Sequence, residues 1–144
     1  MLTPVRVAGL IPHDGAMGLL RHVLSHDATS IACDAASHRD PANPLRRDDV
    51  LPAIAGVEYA LQAMAAHGAL TGGGGPQAPG YLASLRRVAL HVARLDELAG
   101  DLRVEARALS MEATGFVYDF TVSAAGRALL DGQAAIILPA EPCG

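Results

Sequence analysis

Residues 51–70 read LPAIAGVEYALQAMAAHGAL, and the fold turns on how this stretch is read. Ala, Leu, Met, Gln and Glu dominate it, and all are good helix formers. Pro52 suits a first helical turn, where its missing N–H costs nothing. Gly68 and the run from Gly72 to Gly75 supply the stop. About eighteen helical residues would make a rod of roughly 27 Å. From Ala53 to Ala66 the only clearly polar side chains are Glu58, Tyr59 and Gln62, so apolar residues lie all round that rod. Such a helix is expected to be buried, with the rest of the chain wrapped around it. Glu58 and Gln62 are four apart and share a face. A carboxylate inside a protein is costly unless paired or hydrogen-bonded. Either the Glu58 head reaches solvent or it serves a purpose inside, and periodicity alone leaves both open.

Working outward, residues 5–16 alternate weakly around Pro12 and Gly15, which suggests an extended lead-in and a turn. Residues 19–25 and 29–35 look like two strands joined at His26-Asp27-Ala28. SHRDPANPLRRDD, residues 37–49, is a loop by composition, and a loop of this length is often functional. After the helix, GGGGPQAP is a connector. It lacks the Gly-Lys-Ser/Thr and the preceding strand of a phosphate loop. Strands follow at 81–93, 102–109, around Phe116 to Val122, and 128–138, with a turn at Gly126-Arg127. The final run, residues 134–138, is apolar on both faces and belongs at a sheet centre or an oligomer interface. Two strands, one buried helix and a run of antiparallel strands pack most economically as a curved sheet around the helix. That is an α+β hot-dog architecture, a single domain over residues 1–144.

Composition narrows the function. Of the 144 residues, 51% are hydrophobic and 18% charged, which makes the chain globular rather than disordered. Aromatics are 3% and Trp is absent, so Ala, Leu, Val and Ile must build the core. A net charge of −4 argues against nucleic acid as a partner. Cys33 and Cys143 suit neither a disulfide framework nor a zinc motif. The first residues lack a signal peptide's apolar core, and Gly and Pro interrupt the long uncharged stretch after Tyr59. A cytoplasmic protein with no membrane association is expected.

Several motifs resemble one family. IPHDGAMGLLRHVL resembles the LPHRYPFLLVDRV opening of the β-hydroxyacyl-acyl-carrier-protein dehydratases, and LPAIAGVEYALQAMAAHG resembles their MPGVLxxEAxAQ helix. SHRDP stands where that family has its GHFP histidine. SHRDPANPL, the helix and GYLASLRRVALHV together look like the dehydratases of aryl-polyene clusters. The resemblance covers nearly the whole chain. It departs from the ordinary dehydratases in a longer loop between His38 and Pro52, and in Ala53 where they often carry Gly.

The resemblance implies dehydration of 3-hydroxyacyl thioesters, carried on acyl carrier protein, to trans-2-enoyl thioesters. It also implies a dimer whose sites each take the histidine from one subunit and the acid from the other. His38 would then remove the C2 proton, and Glu58, with its pKa raised in an apolar pocket, would protonate the leaving oxygen. Backbone amides between Ala53 and Gly56 would hold the thioester oxygen, with Tyr59 and Gln62 lining or supporting the acyl tunnel. Neither a metal nor an organic cofactor is required. His13 suits a structural place in the lead-in, and His67 the helix end, where a cation favours the dipole. His22 and His26 are four apart but lie on a strand, and His91 looks packed or superficial. Arg39, Arg46, Arg47, Arg86 and Arg87 form basic patches on an acidic chain and could dock an acidic carrier. A hot-dog thioesterase using Glu58 to activate water is an alternative. So is a non-catalytic subunit in a hetero-oligomer with another hot-dog chain.

Overall fold

The computed structural model describes residues 5–6, 18–71 and 81–137, with the side chains of 5–6 and 81–83 excepted. Seven strands form one sheet: β1 (Val5–Arg6), β2 (His22–His26), β3 (Ser30–Ala35), β4 (Tyr81–Leu90), β5 (Leu102–Glu112), β6 (Gly115–Ala124) and β7 (Arg127–Ile137). Their order is β1-β2-β3-β5-β6-β7-β4, and all neighbours are antiparallel. The helix α1 (Gly56–Thr71) interrupts the strands between β3 and β4 and packs on β3, β5 and β6. This is the expected hot-dog arrangement. The rest of the lead-in, including His13, and the glycine connector lie outside the described residues.

Alternation explains the sheet. Leu102, Val104 and Ala106 on β5 face the helix, with Arg103, Glu105 and Arg107 exposed on the reverse. Tyr118, Phe120, Val122 and Ala124 form the matching face of β6. In register these make the pairs Val104–Val122 and Ala106–Phe120. The β6–β7 turn falls at Ala125-Gly126, one residue earlier than expected. Both residues have positive φ, 50° and 79°, which a tight hairpin needs and which glycine meets at no steric cost.

The helix differs from expectation at both ends. Pro52 caps a 3₁₀ turn over Ala53–Ala55, and α1 starts only at Gly56. At the other end α1 runs through Gly68 to Thr71, because packing on the sheet outweighs the roughly 1 kcal/mol cost of one helical glycine. Only Glu58, Ala65 and Thr71 along it are exposed. His67 does not stand at the helix end, which is Thr71. It is fully buried, with Nε2–H donating to the Asp27 carbonyl (2.9 Å) and Nδ1 accepting from the Tyr118 hydroxyl (2.8 Å). Residues 134–137 of that run lie on β7, second from the sheet edge, where Ala134 is buried but Ile137 is 53% exposed, and residue 138 lies outside the described residues. The outermost strand on that side is β4, which ends at Leu90 and is kinked between Arg86 and Ala89, with Arg87 at φ 54°.

Candidate active site

His38 lies where β3 ends, in a 3₁₀ turn over Ser37–Arg39. Its side chain has no solvent exposure. Nε2 sits 3.1 Å from the Leu98 carbonyl, so that nitrogen carries the hydrogen and donates it. The lone pair is thereby left on Nδ1, which is buried and has no hydrogen-bond partner among the described residues. Burial holds the imidazole below its ordinary pKa, against the opposing pull of the Leu98 carbonyl. The ring is therefore a neutral base whose basic atom is left unpaired, an arrangement that native cores rarely tolerate.

The turn bearing His38 is held from several sides. Ser37 Oγ–H donates to the Leu19 carbonyl (2.7 Å), so Tyr59 Oη–H must donate to Ser37 Oγ (2.7 Å). Asn43 Nδ2 donates both to Tyr59 Oη (3.0 Å) and to the Ser37 carbonyl (2.9 Å). Arg46 donates to the His38 carbonyl, and Arg39 pairs with Asp101, which also pairs with Arg21. Burial works to raise the pKa of Asp34, but hydrogen bonds from Arg21 and from the His22 amide outweigh it and keep the carboxylate ionised.

Residues 91–101, between β4 and β5, join this turn to the start of the helix. Leu98 receives the His38 hydrogen bond, while Ala93 O accepts from Ala53 N–H (3.1 Å) and Leu95 N–H donates to Leu51 O (2.8 Å). Asp96 accepts from Leu51 N–H (2.9 Å) and is paired with Arg94. Hydrogen bonding to Arg94 holds its carboxyl well below the usual range.

The structure redistributes the roles expected around the helix. The Ala53 amide is committed to Ala93, and the Gly56 amide to the carbonyls of Ala53 and Ile54. Neither is free for a thioester oxygen. Ile54 N–H makes no hydrogen bond with a described residue, and its side chain is 49% exposed. Tyr59 is fully buried, and its hydroxyl is engaged by Ser37 and Asn43 instead of lining an open tunnel. Gln62 is 3% exposed, and its Oε1 accepts from Leu19 N–H (3.0 Å). Both side chains support the fold around His38.

Glu58 departs furthest from expectation within one chain. It lies in the first turn of α1 on the exposed stripe, not in an apolar pocket. No hydrogen bond or ion pair joins it to His38 or to any other described residue. One chain thus presents a masked base and an open acid apart from each other. Sequence reading missed Ser37, Asn43 and Leu98, whereas Ile54 lies within the Ala53–Gly56 amides it named. Ser37 and Asn43 were visible as polar members of the loop. The Leu98 contribution is a backbone carbonyl sixty positions from His38, which no local pattern reveals.

Comparison with known proteins adds a lineage to this geometry. Residues 5–143 match the family described as ApeP-like: ApeP dehydratase. No curated protein matches the chain by sequence. Among solved structures, a chain of the dehydratase heterocomplex ApeI:P from Xenorhabdus doucetiae is similar, with a TM-score of 0.80 and 21% identity. That match covers 98% of this chain and 94% of the other. Zebra fish thioesterase superfamily member 2 is similar at a TM-score of 0.63 and 15% identity, over 89% of each chain. A hypothetical thioesterase from Streptococcus pneumoniae, solved with coenzyme A, gives 0.59 at 11% identity, over 83% of this chain and 85% of that one. At these identities the solved structures speak for the fold alone.

Proposed function

The chain belongs to the ApeP-like dehydratase family, and from that membership we propose that it dehydrates 3-hydroxyacyl thioesters on acyl carrier protein to trans-2-enoyl thioesters. The observation that carries the proposal is the buried, neutral His38 whose Nδ1 lone pair has no partner. A base held in that form is the group that abstraction α to a thioester carbonyl needs. His38 takes the C2 proton, and the C2–H electrons form the C2=C3 bond. The C3–O bond breaks with its electron pair on oxygen. Glu58, in its acid form, gives that oxygen a proton, and water leaves. Charge developing on the thioester oxygen is met by the Ile54 amide at the start of the helix, which no described residue engages.

One chain does not bring His38 and Glu58 together, so a second subunit has to complete each site. We assign that role to another hot-dog chain in a hetero-oligomer, so that His38 works opposite an acid from the partner in one site and Glu58 opposite a base from the partner in the other. The similarity to a chain of a dehydratase heterocomplex supports this. Covering Glu58 would also supply the desolvation its acid role requires. In the competing view the chain is a non-catalytic subunit that shapes its partner's tunnel, and the exposure of Glu58 is what favours it. Incubation of the assembly with 3-hydroxyacyl carrier protein, read by mass for loss of water, separates the two. His38→Ala and Glu58→Gln in this chain should each lower turnover by roughly 10²–10⁴-fold. Unchanged turnover in both, with the assembly intact, would assign the chemistry to the partner. Release of free thiol in place of enoyl product would point to a thioesterase.

A further inference from the structure

We propose that Tyr59 is a positioning residue for His38, acting through a hydrogen-bond circuit that runs from α1 to the turn carrying the imidazole. The inference rests on the assignment of His38 as the base. Asn43 donates to Tyr59 Oη, Tyr59 donates to Ser37 Oγ, and Ser37 donates to the Leu19 carbonyl. The Leu19 N–H then returns to α1 by donating to Gln62 Oε1. Tyr59 and Gln62 are three apart, so one face of the helix grips the circuit at two points. Its directions are fixed at the ends, because the Asn43 amide nitrogen can only donate and the Leu19 carbonyl can only accept.

Ser37 is covalently adjacent to His38, and both its hydroxyl and its carbonyl belong to this network. The ring's one hydrogen bond of good geometry among the described residues is to Leu98, with the Gly100 backbone close by. One such bond stops neither pivoting about its axis nor a shift of the turn. The circuit supplies the second constraint, at the backbone, and so determines where the unpaired Nδ1 points. Tyr59 is fully buried, and its hydroxyl is engaged by Ser37 and Asn43. Its effect therefore passes through His38, which sets it apart from a tunnel-lining side chain.

Tyr59→Phe keeps the ring and removes only the hydroxyl, and Ser37→Ala breaks the same circuit at a half-buried position that spares the core. Ser37→Thr keeps a hydroxyl and serves as the rescue variant. The first readout is long-range ¹H–¹⁵N correlation of the imidazoles in the full chain, with His38 assigned by loss of its signals in His38→Ala. The wild-type pattern should be neutral with the hydrogen on Nε2. Tyr59→Phe and Ser37→Ala should both move His38 toward mixed tautomers, leave His67 in place, and be restored in Ser37→Thr. The second readout is steady-state kinetics of the assembly. Here kcat should fall between about tenfold and a hundredfold with KM within about twofold, as expected for a misplaced base.

His38 signals identical to wild type in both variants would overturn the inference, whatever the rates do. So would a loss confined to KM. Retained turnover in His38→Ala would sink the underlying assignment of the base, and the imidazole spectra would still report on the circuit. If Tyr59→Phe does not fold, Ser37→Ala alone decides by the same spectra.

Discussion

At Gly56 an added Cβ would stand 2.5 Å from Leu130 Cδ2 and 3.2 Å from its Cγ. Leu130 is fully buried, so it has little room to yield. Gly56→Ala gains some helix propensity but overpacks the α1–β7 contact, a defect that costs about 1–3 kcal/mol. Thermal unfolding of this variant should come several degrees below wild type. An equal or higher midpoint would mean that Leu130 repacks freely. For His38, the base must be neutral to work, and burial has moved its pKa down. Protonation then sets in only at lower pH, so the acid-side fall of kcat/KM should lie below the usual imidazole value of about 6.5. A fall centred at or above that value would contradict the buried, neutral imidazole. Cys33 is fully buried, and burial pushes its thiol up to about 12. It should resist thiol reagents in the folded chain.

Among the elements, residues 91–101 do the most to relate the site's parts. They hold the helix start through Ala93 and Leu95 and the imidazole through Leu98. Asp96 secures this connection by accepting from Leu51 N–H and pairing with Arg94. Because its carboxyl is held below the usual value, it contributes stability at pH above about 4, and that contribution fades as pH falls through its lowered pKa. Asp96→Asn should therefore unfold more easily than wild type near pH 7, with the gap narrowing toward pH ~2. Denaturant melts at several pH values would show it, and a constant gap would rule out the ion pair as the cause. The connection was hard to see in sequence. Its first three residues read as the end of a strand from Tyr81, which in fact stops at Leu90; RLDELAGD has neither a helix nor a strand period, and the contacts of the segment are mostly made by backbone groups whose partners lie far along the chain.

For the whole molecule, the revealing feature is what a single chain leaves uncovered. Glu58 and Ala65 lie at helical spacing along the open stripe of α1, with the half-buried Leu61 between them. Strand β4 ends the sheet with Leu85 37% and Leu90 47% exposed. Long exposed edges of this kind invite pairing unless something covers them. Leu85→Lys with Leu90→Lys should weaken assembly and abolish dehydration while leaving the circular dichroism of the chain unchanged. Sedimentation is the direct check, and an unchanged assembly would show that this edge stays free.

The sequence by itself determined the architecture. A central helix that is apolar nearly all round can only be buried, and strands of strict alternation can only form a sheet with one face turned toward it. It also singled out His38 and Glu58, through motifs that match a family now shown for the chain. Only the tertiary structure decided which atoms are free to act. It engaged the Ala53 amide with Ala93 and left Ile54 open, turned Tyr59 and Gln62 toward the support of Ser37 and Leu19, and placed Glu58 outside. The physical reason is that burial depends on residue type, which the sequence displays. Hydrogen-bond partnership depends on which backbone groups meet across the fold, and every residue carries the same pair of them.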